Sequence, residues 1–375
     1  MKKIIPCLIV LMFLLCSCGA GSPYFTSPYK REVDGMTFMY TPKTEIMTAI
    51  SVLSEEDHDD IVNEKNAYEN DILTKFKKFS EHPMVQLYKE KNLDYTTMCE
   101  FGLMINNNFT LDNRLMNYKD SRECTPDEIR VLSYVESKVP LNDILTLLQE
   151  FHVQSNFESF FKRNKAYFND TLDSIAEEYD KYDLPSWVNT FFREKEGKKY
   201  TVVLQNMRNN TVSNEIVKTI VDEESNVERY VETNIFTNPK RGKYMATEII
   251  NEISEMYVEP ATKEYNEMVN EYSPLFDAIP ENPKKAGYNS WPKAFNKNIT
   301  ESIASIFVKE FWPMEEADKY MRQNIEWGLI YQGIISDVYT DYKENVNSYE
   351  NFSDSYENIF DALRIFLQYI SSDAD

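Results

Sequence analysis

Residues 243 to 260, KYMATEIINEISEMYVEP, set four carboxylates on one side of a single helix. Glu248, Glu252, Glu255 and Glu259 follow one another at steps of four, three and four, the spacing that stacks side chains along one face. Asn251 stands one turn before Glu255. A carboxylate on such a face could act as a general base, and an amide oxygen among carboxylates could hold a hard cation. The same spacing equally describes an ordinary amphipathic helix with a solvated acidic side.

The elements around this stretch must position it. Ala246, Ile249, Ile250, Ile253 and Tyr257 recur at helical intervals and define a stripe for burial. Pro260, which lacks an N–H, is expected to stop the helix. Upstream, Tyr200-Thr201-Val202-Val203-Leu204 and a pair around Val227 to Glu232 and Ile235-Phe236 have the β-branched texture of short strands. Before them the chain reads as helical. Thr41-Pro42 opens one helix, and Thr125-Pro126-Asp127-Glu128 is a capping box for another, through Ile129, Leu132 and Val135. Phe157, Phe160, Phe161, Tyr167 and Phe168 form an aromatic stripe of the kind that builds cores. Downstream, a Pro-rich loop from Ser273 to Pro292 precedes a helix opening at Asn298-x-x-Glu301, and two more helices, roughly Glu315 to Lys343 and Asp354 to Ile370, close the chain. The fold class expected is α+β, predominantly helical, with a small sheet preceding the acidic helix.

The chain starts with two lysines, an apolar run from Ile4 to Leu15 and then Leu15-Cys16-Ser17-Cys18. That is the pattern of a signal peptide, residues 1–17, ending in a lipobox whose Cys18 is acylated. Residues 18–32 then read as a tether, and the body as a membrane-anchored globule outside the cytoplasm. With 62 acidic against 40 basic residues and a net charge of −22, nucleic acid is a poor partner. Cys99 and Cys124 could pair as a disulfide in an oxidising compartment, or stay as two buried thiols. His58, His82 and His152 are too scattered for a metal pair, no G-x-S-x-G elbow exists, and Ile334 stands where a phosphate loop beginning at Gly328 needs lysine.

Asn251-Glu252-Ile253-Ser254-Glu255 has the frame of the zincin helix, His-Glu-x-x-His, with both histidines replaced. VDGMTFMYTPKTEIMTAISVLSE, FSEHPMVQLYKEK, LNDILTLLQEFHVQSNFESFFKRNKAYF, NEISEMYVEP and NITESIASIFVKE occur in an order similar to a family of uncharacterised lipoproteins of Gram-negative bacteria. Intact members carry His-Glu-Phe-Ser-His followed by Val-Asn-Pro, and a later helix with a glutamate that looks like a third metal ligand. The resemblance runs from Val33 to Phe366. It implies that Glu252 matches the general base, that Ser254, Val258 and Pro260 match the surrounding frame, and that Glu301 matches the downstream glutamate. Asn251 and Glu255 fall on the histidine positions, so zinc and the water it would activate are not expected.

The resemblance therefore implies a degenerate zincin-like domain, a catalytically inactive lipoprotein of the cell envelope, periplasmic or surface-exposed, acting in binding or structure. One alternative is a hydrolase with a calcium or magnesium site of oxygen ligands at Asn251, Glu255 and Glu301. Another is a helical lipoprotein that binds a protein or glycan partner. If Glu252, Glu255 and Glu301 converge within about 5 Å, each like-charge pair costs roughly 3 kcal/mol. A retained proton, a lysine or arginine, or a hard cation must relieve that. The expected organisation is a helical region over 33–195 and a zincin-like region over 196–375, forming one compact unit.

Overall fold

The computed structural model describes residues 22–54, 67–193, 198–209, 211–221, 227–345 and 348–372. The signal peptide, Cys18 and His58 lie outside the described residues. The chain divides into two compact units, Met1–Glu177 with Lys199–Lys240 and Glu178–Lys198 with Arg241–Asp375. The expected boundary lay after residue 195, whereas the segment Lys199–Lys240 groups with the N-terminal helices. The strands close on the N-terminal helices because they pair with a hairpin formed near the start of the chain.

That hairpin joins β1 (Tyr29–Val33) to β2 (Met36–Tyr40), in register from Tyr29 opposite Tyr40 to Val33 opposite Met36. Asp34 and Gly35 turn it with φ of 48° and 86°, the two left-handed residues that a tight two-residue connection requires. The tether over 18–32 thus gives way to sheet at Tyr29. Along β2, Met36, Phe38 and Tyr40 are buried while Thr37 and Met39 are half-buried, the alternation of a sheet with one face on the core. β3 (Tyr200–Leu204) runs parallel to β2 and to β5 (Val227–Thr237), and β4 (Val212–Val221) pairs antiparallel with β5. The order β1-β2-β3-β5-β4 leaves β3 in the middle, and all five of its residues are buried. The expected strand pair in 227–236 is one continuous strand.

The helices of the first unit are α1 (Pro42–Ser54), α2 (Ala67–Phe76), α3 (Pro83–Glu90), α4 (Tyr95–Met104), α5 (Asn113–Met116), α6 (Pro126–Lys138), α7 (Leu141–Ser155), α8 (Phe157–Arg163) and α9 (Lys165–Tyr179), whose last turn enters the second unit. α6 starts at the expected capping box: the Thr125 hydroxyl accepts from Glu128 N, and Glu128 accepts from Thr125 N. The same hydroxyl donates to Glu215 O at 2.6 Å, which ties the cap to β4. Thr125→Ala should therefore cost about 1–2 kcal/mol, read as a lower urea midpoint at unchanged slope. Leu132 and Val135 face inward, whereas Ile129, expected with them, is 38% exposed. Of the aromatic stripe, Phe157, Phe160, Phe161 and Phe168 are buried in the core, whereas Tyr167, expected with them, is 40% exposed; Phe160 meets Phe76 edge to face.

Cys99 and Cys124 are free thiols, which removes the disulfide. Each has its own surroundings. Cys99 lies buried in α4 and accepts from Gln205 Nε2, while Cys124 sits beside Arg114 before α6.

The second unit is helical among its described residues: α10 (Leu184–Phe192), α11 (Tyr244–Glu264), α12 (Asn266–Glu271), α13 (Glu281–Lys285), α14 (Trp291–Phe311), α15 (Met314–Trp327), α16 (Gln332–Glu344) and α17 (Ser355–Ser372). Three expectations are corrected here. α11 continues through Pro260 to Glu264, since a proline in the last turns removes one hydrogen bond without unseating a helix held by a buried stripe. α14 begins at Trp291, with Pro292 in its first turn, so Asn298 and Glu301 are mid-helix and buried rather than at an entrance. The stretch from Glu315 to Lys343 is two helices, broken at Gly328. Its φ of 128° suits only glycine, and an added Cβ would meet Pro283 Cγ at 2.7 Å. Among the described residues no helix is long and apolar enough to cross a membrane.

Candidate functional site

α11 packs along α14, and the two helices carry the residues singled out by spacing. Ala246, Ile249, Ile250 and Ile253 are fully buried, as their periodicity requires; Tyr257 is only half-buried. That seam turns the next positions of α11 toward α14. Asn251 is 6% exposed and Glu301 8%, and Asn251 Nδ2 donates to Glu301 Oε1 at 2.8 Å.

Glu301 is the centre of the arrangement. Lys297, one turn earlier on α14, places Nζ 2.9 Å from the same Oε1. Its other oxygen, Oε2, accepts from Tyr320 OH and from Asn324 Nδ2 at 3.1 Å, two residues one turn apart on α15. Even the backbone is held: Glu301 O accepts from Gln332 Nε2 at 3.0 Å and from Ser305 Oγ at 2.8 Å. A carboxylate removed from water is here supplied with donors from three helices, α11, α14 and α15.

Glu255 and Glu252 stand half-buried beside it. Burial raises the Glu255 carboxyl above its ordinary value; Lys297 opposes this, and Glu259 and Glu301 add to it. For Lys297, burial disfavours the charge, but Glu301, Tyr288 and Glu255 outweigh it and hold the ammonium above the usual lysine range. Tyr288 is raised by burial first, and Glu255, Glu301 and Glu252 all push it the same way against Lys297. The three carboxylates chosen from sequence thus act on one tyrosine, and two of them, Glu255 and Glu301, also on Lys297. At the two ends of the acidic stripe, Glu248 faces Arg241 at 3.4 Å, and Glu259, which acts on Glu255, faces Lys263 at 3.9 Å.

The residues present do not fit zinc. Both oxygens of Glu301 are committed to N–H and O–H donors. The Asn251 amide turns its NH2 toward that carboxylate, and its Oδ1 points elsewhere, with no partner among the described residues. An amide oxygen and carboxylates are also a poor donor set for an ion that favours imidazole and thiolate. Among the described residues no three of His, Cys, Asp and Glu converge as a metal would need. His82 caps α3, and His152 is buried in α7 against Glu158 at 3.1 Å.

Lys297, Tyr320 and Asn324 were not singled out from sequence. Lys297 could have been found, since it precedes Glu301 by four residues on one helix. Tyr320 and Asn324 belong to another helix, and spacing gives no sign that they reach Glu301.

A family profile described as Domain of unknown function (DUF4932) matches residues 41–362. The chain belongs to that family. The DUF4932 span contains Asn251, Glu252, Glu255, Lys297 and Glu301, and the description assigns it no activity. No curated protein and no solved structure matches the chain.

Proposed function

We propose that this DUF4932 protein is a lipid-anchored protein of the cell envelope whose zincin-like domain holds a lysine ammonium where a peptidase would hold its metal, and that it works in binding or structure. The observation that carries this reading is the pairing of Lys297 Nζ with Glu301 Oε1 at 2.9 Å, beside the Asn251 amide at 2.8 Å on the same oxygen. Of the three ways to relieve crowded carboxylates, it is a basic side chain that supplies positive charge here, one unit against the two of zinc. Glu252 then has no metal-bound water to deprotonate, and its position remains as a vestige of a general base. The lipobox at Cys18 and the absence of a spanning helix among the described residues are compatible with a body held at a membrane by acyl chains.

A peptidase assay on unfolded casein, with zinc, calcium or magnesium added in turn, tests this. The wild-type chain and Glu252→Gln should release peptides at the same background rate. Metal-dependent cleavage that disappears in Glu252→Gln would overturn the reading. A rise in melting temperature with calcium or magnesium, abolished by Glu301→Ala, would favour an oxygen-ligand cation site instead.

A further inference from the structure

A second site lies in the same unit, nine residues beyond Glu301 along α14, or about 14 Å at the helical rise. It is a cavity of about 270 Å³ bounded by α10 and by the C-terminal ends of α14 and α16. Its walls are aromatic: Trp187 and Phe191 lie stacked at 5.1 Å, and Tyr182, Phe311 and Tyr342 complete them. Its rim carries the hydroxyls of Ser186 and Thr190, both exposed.

The charged groups at the rim are of both signs and largely spent on each other. Glu310 accepts from Trp187 Nε1 at 2.9 Å and pairs with Lys343. The Arg193 guanidinium donates to Tyr349 O and lies over the Tyr342 ring, 4.5 Å from its centroid. With Asp183, two cations face two anions, so the cavity selects neither a cationic nor an anionic ligand. Aromatic walls favour a ligand with an apolar ring face, and a hydroxyl and carboxylate rim favours one that carries hydroxyls around that ring. The volume holds a single six-membered ring and its substituents.

We infer that this cavity is a binding site for one neutral sugar ring, such as the end unit of a glycan. The inference does not depend on the lysine-for-metal reading, because no residue of the Glu301 cluster lines the cavity.

Saturation-transfer NMR on the full-length chain tests it, with the methyl glycosides of glucose, galactose, mannose and N-acetylglucosamine as probes and phenylalanine as the zwitterionic control. At least one glycoside should bind saturably, and phenylalanine should not. Ser186→Phe and Thr190→Phe fill the cavity from exposed helix positions and so should leave the melting temperature unchanged. Each should weaken that glycoside at least about tenfold, the effect of losing on the order of 1.4 kcal/mol. The inference is overturned if no glycoside binds saturably, if binding survives in both variants, or if phenylalanine binds and both variants abolish it.

Discussion

Lys297→Met is expected to destabilise the second unit by about 3–5 kcal/mol, the usual cost of removing one partner from a buried ion pair. The side chains of Lys297 and Glu301 are only 16% and 11% exposed, so solvent cannot replace the lost ammonium. Glu301 would keep Asn251, Tyr320 and Asn324, but Glu255 and Glu301 would face each other without the charge that now separates them. The melting temperature should fall on the order of 10 °C. In a double-mutant cycle, Lys297→Met with Glu301→Gln should cost less than the sum of the single changes by at least about 1 kcal/mol, because each single change strands a buried charge. Additivity within experimental error would show that the pair is not coupled. Since the folded-state pKa of Lys297 is raised, its contribution is full below the unfolded value of 10.5 and is lost only at more alkaline pH. The effect of Lys297→Met should thus be the same at pH 7 and pH 9.

The second large effect lies in the first unit. Glu45 in α1 is 1% exposed; Tyr68 OH donates to its Oε2, and its Oε1 has no partner among the described residues. Burial pushes the carboxyl up to about 8 from 4.5, with the Tyr68 hydroxyl as the opposing influence. Tyrosines 40, 95 and 167 face the same carboxyl, and each is itself raised by burial first and by Glu45 in lesser part. Between pH 4.5 and 8 the unfolded chain has released this proton while the folded chain retains it. Stability from Glu45 is therefore complete below pH 4.5 and declines by about 5 kcal/mol as pH rises to 8. Glu45→Gln keeps the shape and removes the titration. Urea unfolding of wild type and Glu45→Gln across pH 5 to 9 should give a stability difference that shifts steadily toward the variant as pH rises. A difference independent of pH would show that Glu45 ionises normally in the fold.

Much of the fold could be read from local chemistry. The capping box at Thr125, the stripe of α11 and the aromatic run of α8 and α9 each announce themselves within a few residues. The hairpin was equally local, and Asp34-Gly35 between alternating apolar positions is its signal. It was overlooked because the Gly- and Ser-rich stretch before it reads as linker. β4 is harder, since Ser213, Asn214 and Glu215 interrupt the apolar pattern and only pairing with β5 makes it a strand. The division into two units was not legible, because it depends on β3 pairing with β2, some 160 residues away in the chain, and on β5 joining the sheet through β3. At the site, Asn251 and Glu301 meet through one hydrogen bond. The lysine that decides what the site can hold was visible only as a helix-face neighbour. The start of α14 was misplaced because Asn298-x-x-Glu301 mimics a cap, although Trp291-Pro292 gives the true entrance two turns earlier.

Whether an ammonium or a metal neutralises Glu301 can be read from the metal content of the purified chain. Full-length protein from zinc-supplemented culture, dialysed and measured by plasma mass spectrometry, should carry zinc well below one equivalent, with no difference between wild type and Glu301→Ala. One zinc per chain that is lost in Glu301→Ala would show that a metal, and not Lys297, neutralises Glu301.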